Sequence, residues 1–131
     1  MLPGKNMNSK QAVSKVLDGE MPSYIPLGTY AIDCDIVEKI IGHKTYVRNK
    51  YEIQLALWDG KRDEVAQSLK EDTVVLFNKL DCIDIMIPFK EGGHLPPENY
   101  MPPKINRISN SLFKDENGVI YGYSEATNDI I

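Results

Sequence analysis

The sequence predicts an α/β chain, and three observations carry that expectation. Two strand-like stretches, residues 25–32 and 82–87, are separated by segments of helical periodicity, and strands joined by a long helical crossover pair in parallel. The second stretch, with Cys82, Ile83, Ile85, Met86 and Ile87, is too apolar to stand as an exposed edge. Further on, Asn117-Gly118 between residues 111–113 and 119–123 is a hairpin turn signal. Two parallel strands do not make a sheet that buries both faces, so this order of elements implies further strands beside them.

Each element has its own justification. Asn8 with Gln11 three residues later opens the first helix as a capping box. Ala12, Val13, Val16 and Leu17 share one of its faces, and Gly19 is a natural stop. Pro22 and Pro26 exclude a helix from the next stretch, which leaves 25–32 as a strand. Gly28 within it marks a close backbone approach or a bend. Asp33 or Asp35 caps a short helix carrying Ile36, Val37, Ile40 and Ile41, which ends at Gly42. A third helix starts at Asn49, with Glu52 behind it, and runs to Trp58 before Asp59-Gly60. The longest helix covers 61–80, with Val65, Ala66, Leu69, Thr73, Leu76, Phe77 and Leu80 along one face. Pro96, Pro97, Pro102 and Pro103 make 94–104 neither helix nor central strand. In the hairpin, Tyr121 and Tyr123 share a face, either covering the hairpin's own apolar side or closing over a neighbouring cavity.

Composition narrows the function classes. An apolar content of 42% with 26% charged residues describes a folded domain, not a disordered chain. A net charge of −4 and the lack of a basic stripe interleaved with aromatics argue against nucleic-acid binding. No apolar run approaches the roughly 18 residues of a membrane helix. The opening MLPGKNMNSK lacks the apolar centre of a signal peptide, so a cytoplasmic location is expected. Cys34 and Cys82 form no C-x-x-C pair, which disfavours structural zinc. Both are expected as reduced thiols packed like small apolar residues, although cysteines near the ends of neighbouring strands could still come close. His43, just after Gly42, reads as a cation at a helix C-terminus. Trp58 reads as a core or rim residue, and DGKRDEV as a solvated face.

The stretch NSKQAVSKVLDGEMPSYIPLG resembles the opening of the uroporphyrinogen decarboxylase-like superfamily, where a short helix, a Gly-acidic turn and an R/Y-I/V-P-V/L strand lead into a barrel. DIVEKIIGHKTYV, LALWDGKRDEVAQSLKEDTVVLFNKLDCIDI and GVIYGYSEATNDI resemble later segments, in the expected order. The resemblance implies that 1–131 is a single partial domain. It would be the N-terminal part of a (β/α)8 TIM barrel, with a lead-in helix and an inserted β-hairpin. A complete barrel needs about 250 residues.

That superfamily divides between decarboxylases of a multi-carboxylate tetrapyrrole and methyltransferases that work with corrinoid proteins. The decarboxylases carry an R-Q-A-G-R-type loop after the first strand. The matching stretch here, GTYAIDCD, has two aspartates and no arginine; the first arginine of the chain is Arg48. A substrate with many carboxylates calls for many guanidinium forks. The resemblance therefore implies the methyltransferase branch. There, a methyl group passes between a small methyl donor or acceptor (methoxy-aromatic, methylamine-type or thiol) and a corrinoid carried on a partner protein. Thiol-methylating relatives hold zinc through His-x-Cys and a distant Cys in the later half of the barrel. His-x-Cys does not occur here, so no cofactor or metal is expected on this segment, and a zinc of the parent protein would lie beyond it.

Barrel sites collect at the C-terminal ends of the strands. The substrate-binding candidates are therefore Thr29, Tyr30 and Asp33 after the first strand, and Phe89, Glu91 and His94 after the second. Plainer roles stand beside these: Asp33 as a helix N-cap, Tyr30 as a rim residue, and Glu91 and His94 on a solvated loop. No catalytic residue is assigned, and the segment alone is expected to be inactive. Two other readings remain. One is porphyrinogen decarboxylation; the other is a non-catalytic domain that self-associates through its open sheet edge.

Overall fold

A computed structural model of the chain describes residues 7–86 and 95–131. Its elements follow in the order α1 (Ser9–Leu17), β1 (Gly28–Thr29), α2 (Cys34–Ile41), α3 (Lys50–Trp58), α4 (Arg62–Lys79), β2 (Ile85–Met86), β3 (Ile105–Arg107), β4 (Leu112–Asp115), β5 (Ile120–Ser124) and β6 (Asp129–Ile130).

The helices begin and end where their caps dictate. The Asn8 side chain accepts from the Gln11 backbone N–H at 2.9 Å, and the Gln11 side chain accepts from the Asn8 N–H at 3.2 Å, so the capping box forms at α1. Of the expected apolar face, only Ala12 is fully buried; Val16 and Leu17 stand in the open. Gly42 closes α2 in the left-handed region at φ +90°, a conformation that glycine adopts at no steric cost. Asn49 caps α3 by accepting from the Glu52 N–H at 3.4 Å.

The main core lies where α2 crosses α4. Val37, Ile41 and Leu76 are buried there, with Ile32, Ile40, Val47, Phe77 and Leu80 packed around them. These are the apolar stripes of the two helices, each side chain contributing roughly 1.5–3 kcal/mol on full burial.

β1 and β2 pair in parallel, Gly28 opposite Ile85 and Thr29 opposite Met86. Among the described residues each strand is two residues long, shorter than the pattern suggests. Pro22 and Pro26 lack N–H donors and keep most of the run before Gly28 out of the ladder. A Cβ on Gly28 would sit 3.0 Å from Ile85 Cγ2, so this glycine does permit a close approach. Asp84, the polar residue inside the apolar run, staples the region together. Its Oδ1 accepts from Ser9 Oγ at 2.6 Å and Tyr24 OH at 2.8 Å, and its Oδ2 from the Leu27 N–H at 3.0 Å.

The second sheet is an antiparallel meander, β3-β4-β5-β6. The expected hairpin is its centre, with Phe113 opposite Tyr121. Asp115 Oδ1 accepts the N–H groups of Asn117 and Val119, and Oδ2 accepts the Tyr121 hydroxyl. β3 and β6 add a strand on either side of the expected pair. Tyr121 and Tyr123 do more than cover the hairpin's own apolar side, because they dock this sheet on α3. Trp58 lies 5.3 Å from Phe113 and 5.4 Å from Tyr121, while Tyr51 lies 4.4 Å from Tyr123, centroid to centroid.

Two further expectations change. Both cysteines are free, but Cys82 is exposed, since it sits in the turn between α4 and β2 and not within the strand. Arg62 is not part of a solvated face. Its side chain is largely buried, and Nε donates to the Pro96 carbonyl at 2.9 Å. Among the described residues no helix is long and apolar enough to cross a membrane.

Candidate functional site

Two places gather polar chemistry. The first is the stretch leaving the C-terminal end of β1. Thr29 is half-buried and its hydroxyl donates to the Ala31 carbonyl at 3.5 Å. Tyr30 is exposed. Asp33 occupies the N-cap of α2, yet its side chain makes no capping bond; it accepts instead from Arg48 Nη2 at 3.4 Å. Phe89, Glu91 and His94 lie outside the described residues. The residue added here is Arg48, delivered from the loop between α2 and α3. Its backbone lies in the left-handed region at φ +60°, which nothing in its local sequence signals.

The second place is an open cleft of about 820 Å³ bounded by the 43–49 loop, α3 and α4. At its floor the buried Asp72 carboxylate accepts from Thr45 Oγ1 at 2.6 Å, Ser68 Oγ at 2.7 Å and His43 Nε2 at 2.9 Å. Burial pushes the Asp72 carboxyl up. The hydrogen bonds from Thr45, His43 and Ser68 outweigh burial and hold it below the usual carboxylate range. Glu38 also lies low, chiefly because Lys44 donates to it at 2.7 Å, and the Lys44 ammonium is raised in return. Burial, and then Glu64 beside its hydroxyl, raises Tyr46.

His43 thus does not cap α2. Lys79 takes that role, its Nζ lying 3.1 Å from the Ile40 carbonyl and 3.2 Å from that of Ile41. Asp72 was not singled out in the sequence because it lies beside the apolar stripe of α4 as one more acidic helix residue. Its partners, His43 and Thr45, are distant in sequence. Since the donors around Asp72 all belong to this chain, the arrangement ties the α2–α3 loop to α4.

Metal chemistry needs a converging set of donors. Among the described residues no group of three or more His, Cys, Asp or Glu side chains is placed to hold an ion. Comparison of the chain with protein-family models, curated proteins and solved structures finds no match in any of the three.

Proposed function

We propose that this chain forms the N-terminal part of a (β/α)8 barrel of the uroporphyrinogen decarboxylase-like kind. The protein it belongs to transfers a methyl group between a small substrate and a corrinoid protein. The observation that carries the reading is the parallel β1–β2 pair. The strands are joined through three helices, and apolar side chains in and just before them are uncovered: Ile25 is 81% exposed, Leu27 54% and Ile85 47%. A barrel places further strands beside such a pair and helices around it. The ordered resemblance of four segments supplies the family, and the lack of an arginine-rich loop after β1 supplies the branch.

In this reading Thr29, Tyr30 and Asp33 border the mouth at the end of the first strand. The corrinoid supplies the methyl carrier and is brought by the partner protein. The described residues do not provide a zinc-binding set, so no zinc-dependent step is assigned to them.

The test is an assay of the protein containing this segment with methylcobalamin and three acceptors: a phenol, a primary amine and a thiol. Release of cob(I)alamin is followed by its absorbance. Methyl transfer to one acceptor supports the proposal, whereas decarboxylation of a porphyrinogen by the same protein overturns it. If neither occurs and the chain sediments as a stable oligomer, the uncovered strand edge serves self-association instead.

A further inference from the structure

We propose that Asn117 is a site of spontaneous covalent modification, which loses its side-chain amide through a succinimide formed with Gly118, and that the native turn gates this reaction by holding the attacking nitrogen. The inference is independent of the barrel reading.

The first observation is a neighbour pair in an open place. Of the asparagines in the chain, Asn117 alone is followed by glycine. The main-chain nitrogen of the following residue must reach Asn117 Cγ, and glycine, lacking a Cβ, leaves that approach clear. Both residues are exposed at the β4–β5 turn. A Cβ placed on Gly118 would come no nearer to a neighbour than 3.8 Å, at Lys114 Cε, so water and base have access.

The reaction needs water alone as co-reactant. The Gly118 nitrogen gives up its proton to base and attacks Asn117 Cγ. A Cγ–N bond forms, the Cγ–Nδ2 bond breaks, and the side-chain nitrogen takes up a proton and leaves as ammonia. Water then opens the ring. Addition at Cγ gives aspartate; addition at the main-chain carbonyl gives isoaspartate, in which the backbone runs through Cβ and Cγ.

The second observation is what the fold does with that nitrogen. The Gly118 N–H donates to the Asp115 carbonyl at 3.1 Å. The buried Asp115 carboxylate accepts the N–H groups on either side, from Asn117 at 2.9 Å and Val119 at 2.8 Å. The proton that must leave is therefore held, and the anion that would develop on the nitrogen stands beside a carboxylate, which disfavours it. Attack waits until the turn opens. Opening also strains the contacts of Phe113 and Tyr121 with Trp58, at 5.3 and 5.4 Å, so local unfolding of the hairpin sets the rate. The isoaspartate product lengthens the main chain inside the turn. The Asp115 N–H, which donates to the Val119 carbonyl at 3.0 Å, then no longer matches its partner, and the meander loosens irreversibly.

The experiment ages the 131-residue chain in mildly alkaline buffer beside a synthetic peptide of residues 111–123, an isolated hairpin too short to hold its fold. Peptide mapping by mass spectrometry follows the exchange of NH for O at Asn117. The peptide is expected to react at least about tenfold faster than the folded chain, and Trp58→Ala to fall between them. Urea below the unfolding transition should speed the parent chain in the same direction, which keeps the gate testable if the variant does not fold. N117Q should abolish the mass change at this site. Aged chains carrying isoaspartate should exchange the β4 and β5 amides faster than fresh ones. The proposal is overturned if the peptide does not react at Asn117, if the folded chain reacts as fast as the peptide, if neither urea nor Trp58→Ala speeds it, or if the modified chain exchanges like the fresh one. No turnover is measured, so these outcomes are separable from those of the methyl-transfer assay.

Discussion

The two sheets of this molecule were finished in different ways. The antiparallel sheet is completed by its own chain. β4 and β5 are paired on both sides, the hairpin turn is tied by Asp115, and Phe113, Tyr121 and Tyr123 rest on Trp58 and Tyr51. Among the described residues the parallel pair has one ladder of two residues per strand, with Ile85 and, just before β1, Ile25 and Leu27 uncovered. An antiparallel meander needs only tight turns and so can satisfy itself locally. A parallel pair waits for partners delivered by further crossovers. In the proposed barrel reading, the end of β1 borders a site that further strands would complete, and the meander is an insertion.

The contrast can be broken most forcefully from beneath. Leu76→Ala removes the α2–α4 contact on which the region around the parallel pair is built, and should cost about 2–5 kcal/mol in a denaturant titration. Trp58→Ala, at a half-buried ring, should cost about 3 kcal/mol and act selectively. Hydrogen exchange of the β4 and β5 amides should rise by more than that at Gly28 and Thr29. Equal acceleration in both places would mean that the two regions unfold together and that the distinction fails.

Asp72→Asn tests the tie between the α2–α3 loop and α4, with an expected loss of about 1–3 kcal/mol. Its pH dependence has a definite sign. The folded carboxyl lies below its ordinary value of 3.8, so its contribution is complete above that value and fades as pH falls through the folded one. The variant's deficit should therefore shrink in strong acid. A deficit that grows on acidification would contradict the hydrogen-bonded carboxylate. The smallest effect is expected at the uncovered strand: Ile85→Lys should change the stability of the 131-residue chain by no more than about 0.5 kcal/mol.

The helices were legible because their signals are local. Asn8 with Gln11, Asn49 with Glu52, and Gly42 mark ends that the structure reproduces. The parallel strands were found but overextended, because an apolar run reports burial while a strand's length is set by its partner. β3 and β6 escaped notice for the opposite reason. Asp129–Ile130 carries no alternation, and pairs only because the turn after β5 brings it back alongside Tyr123 and Ser124. At the candidate site, the places of Thr29 at the end of β1 and of Tyr30 and Asp33 just beyond it followed from chain order. Arg48 did not, since a left-handed arginine leaves no trace in the sequence and its partner Asp33 is met only in the fold. The His43–Asp72 pair was hidden likewise by distance along the chain.

The proposed barrel reading requires further strands to cover the parallel pair. The most direct test is the reading frame downstream of the Ile131 codon. The account predicts roughly 100–200 further residues of alternating strand and helix pattern, enough to complete a barrel. A stop codon directly after Ile131, with the 131-residue chain a stable monomer in solution, would contradict it.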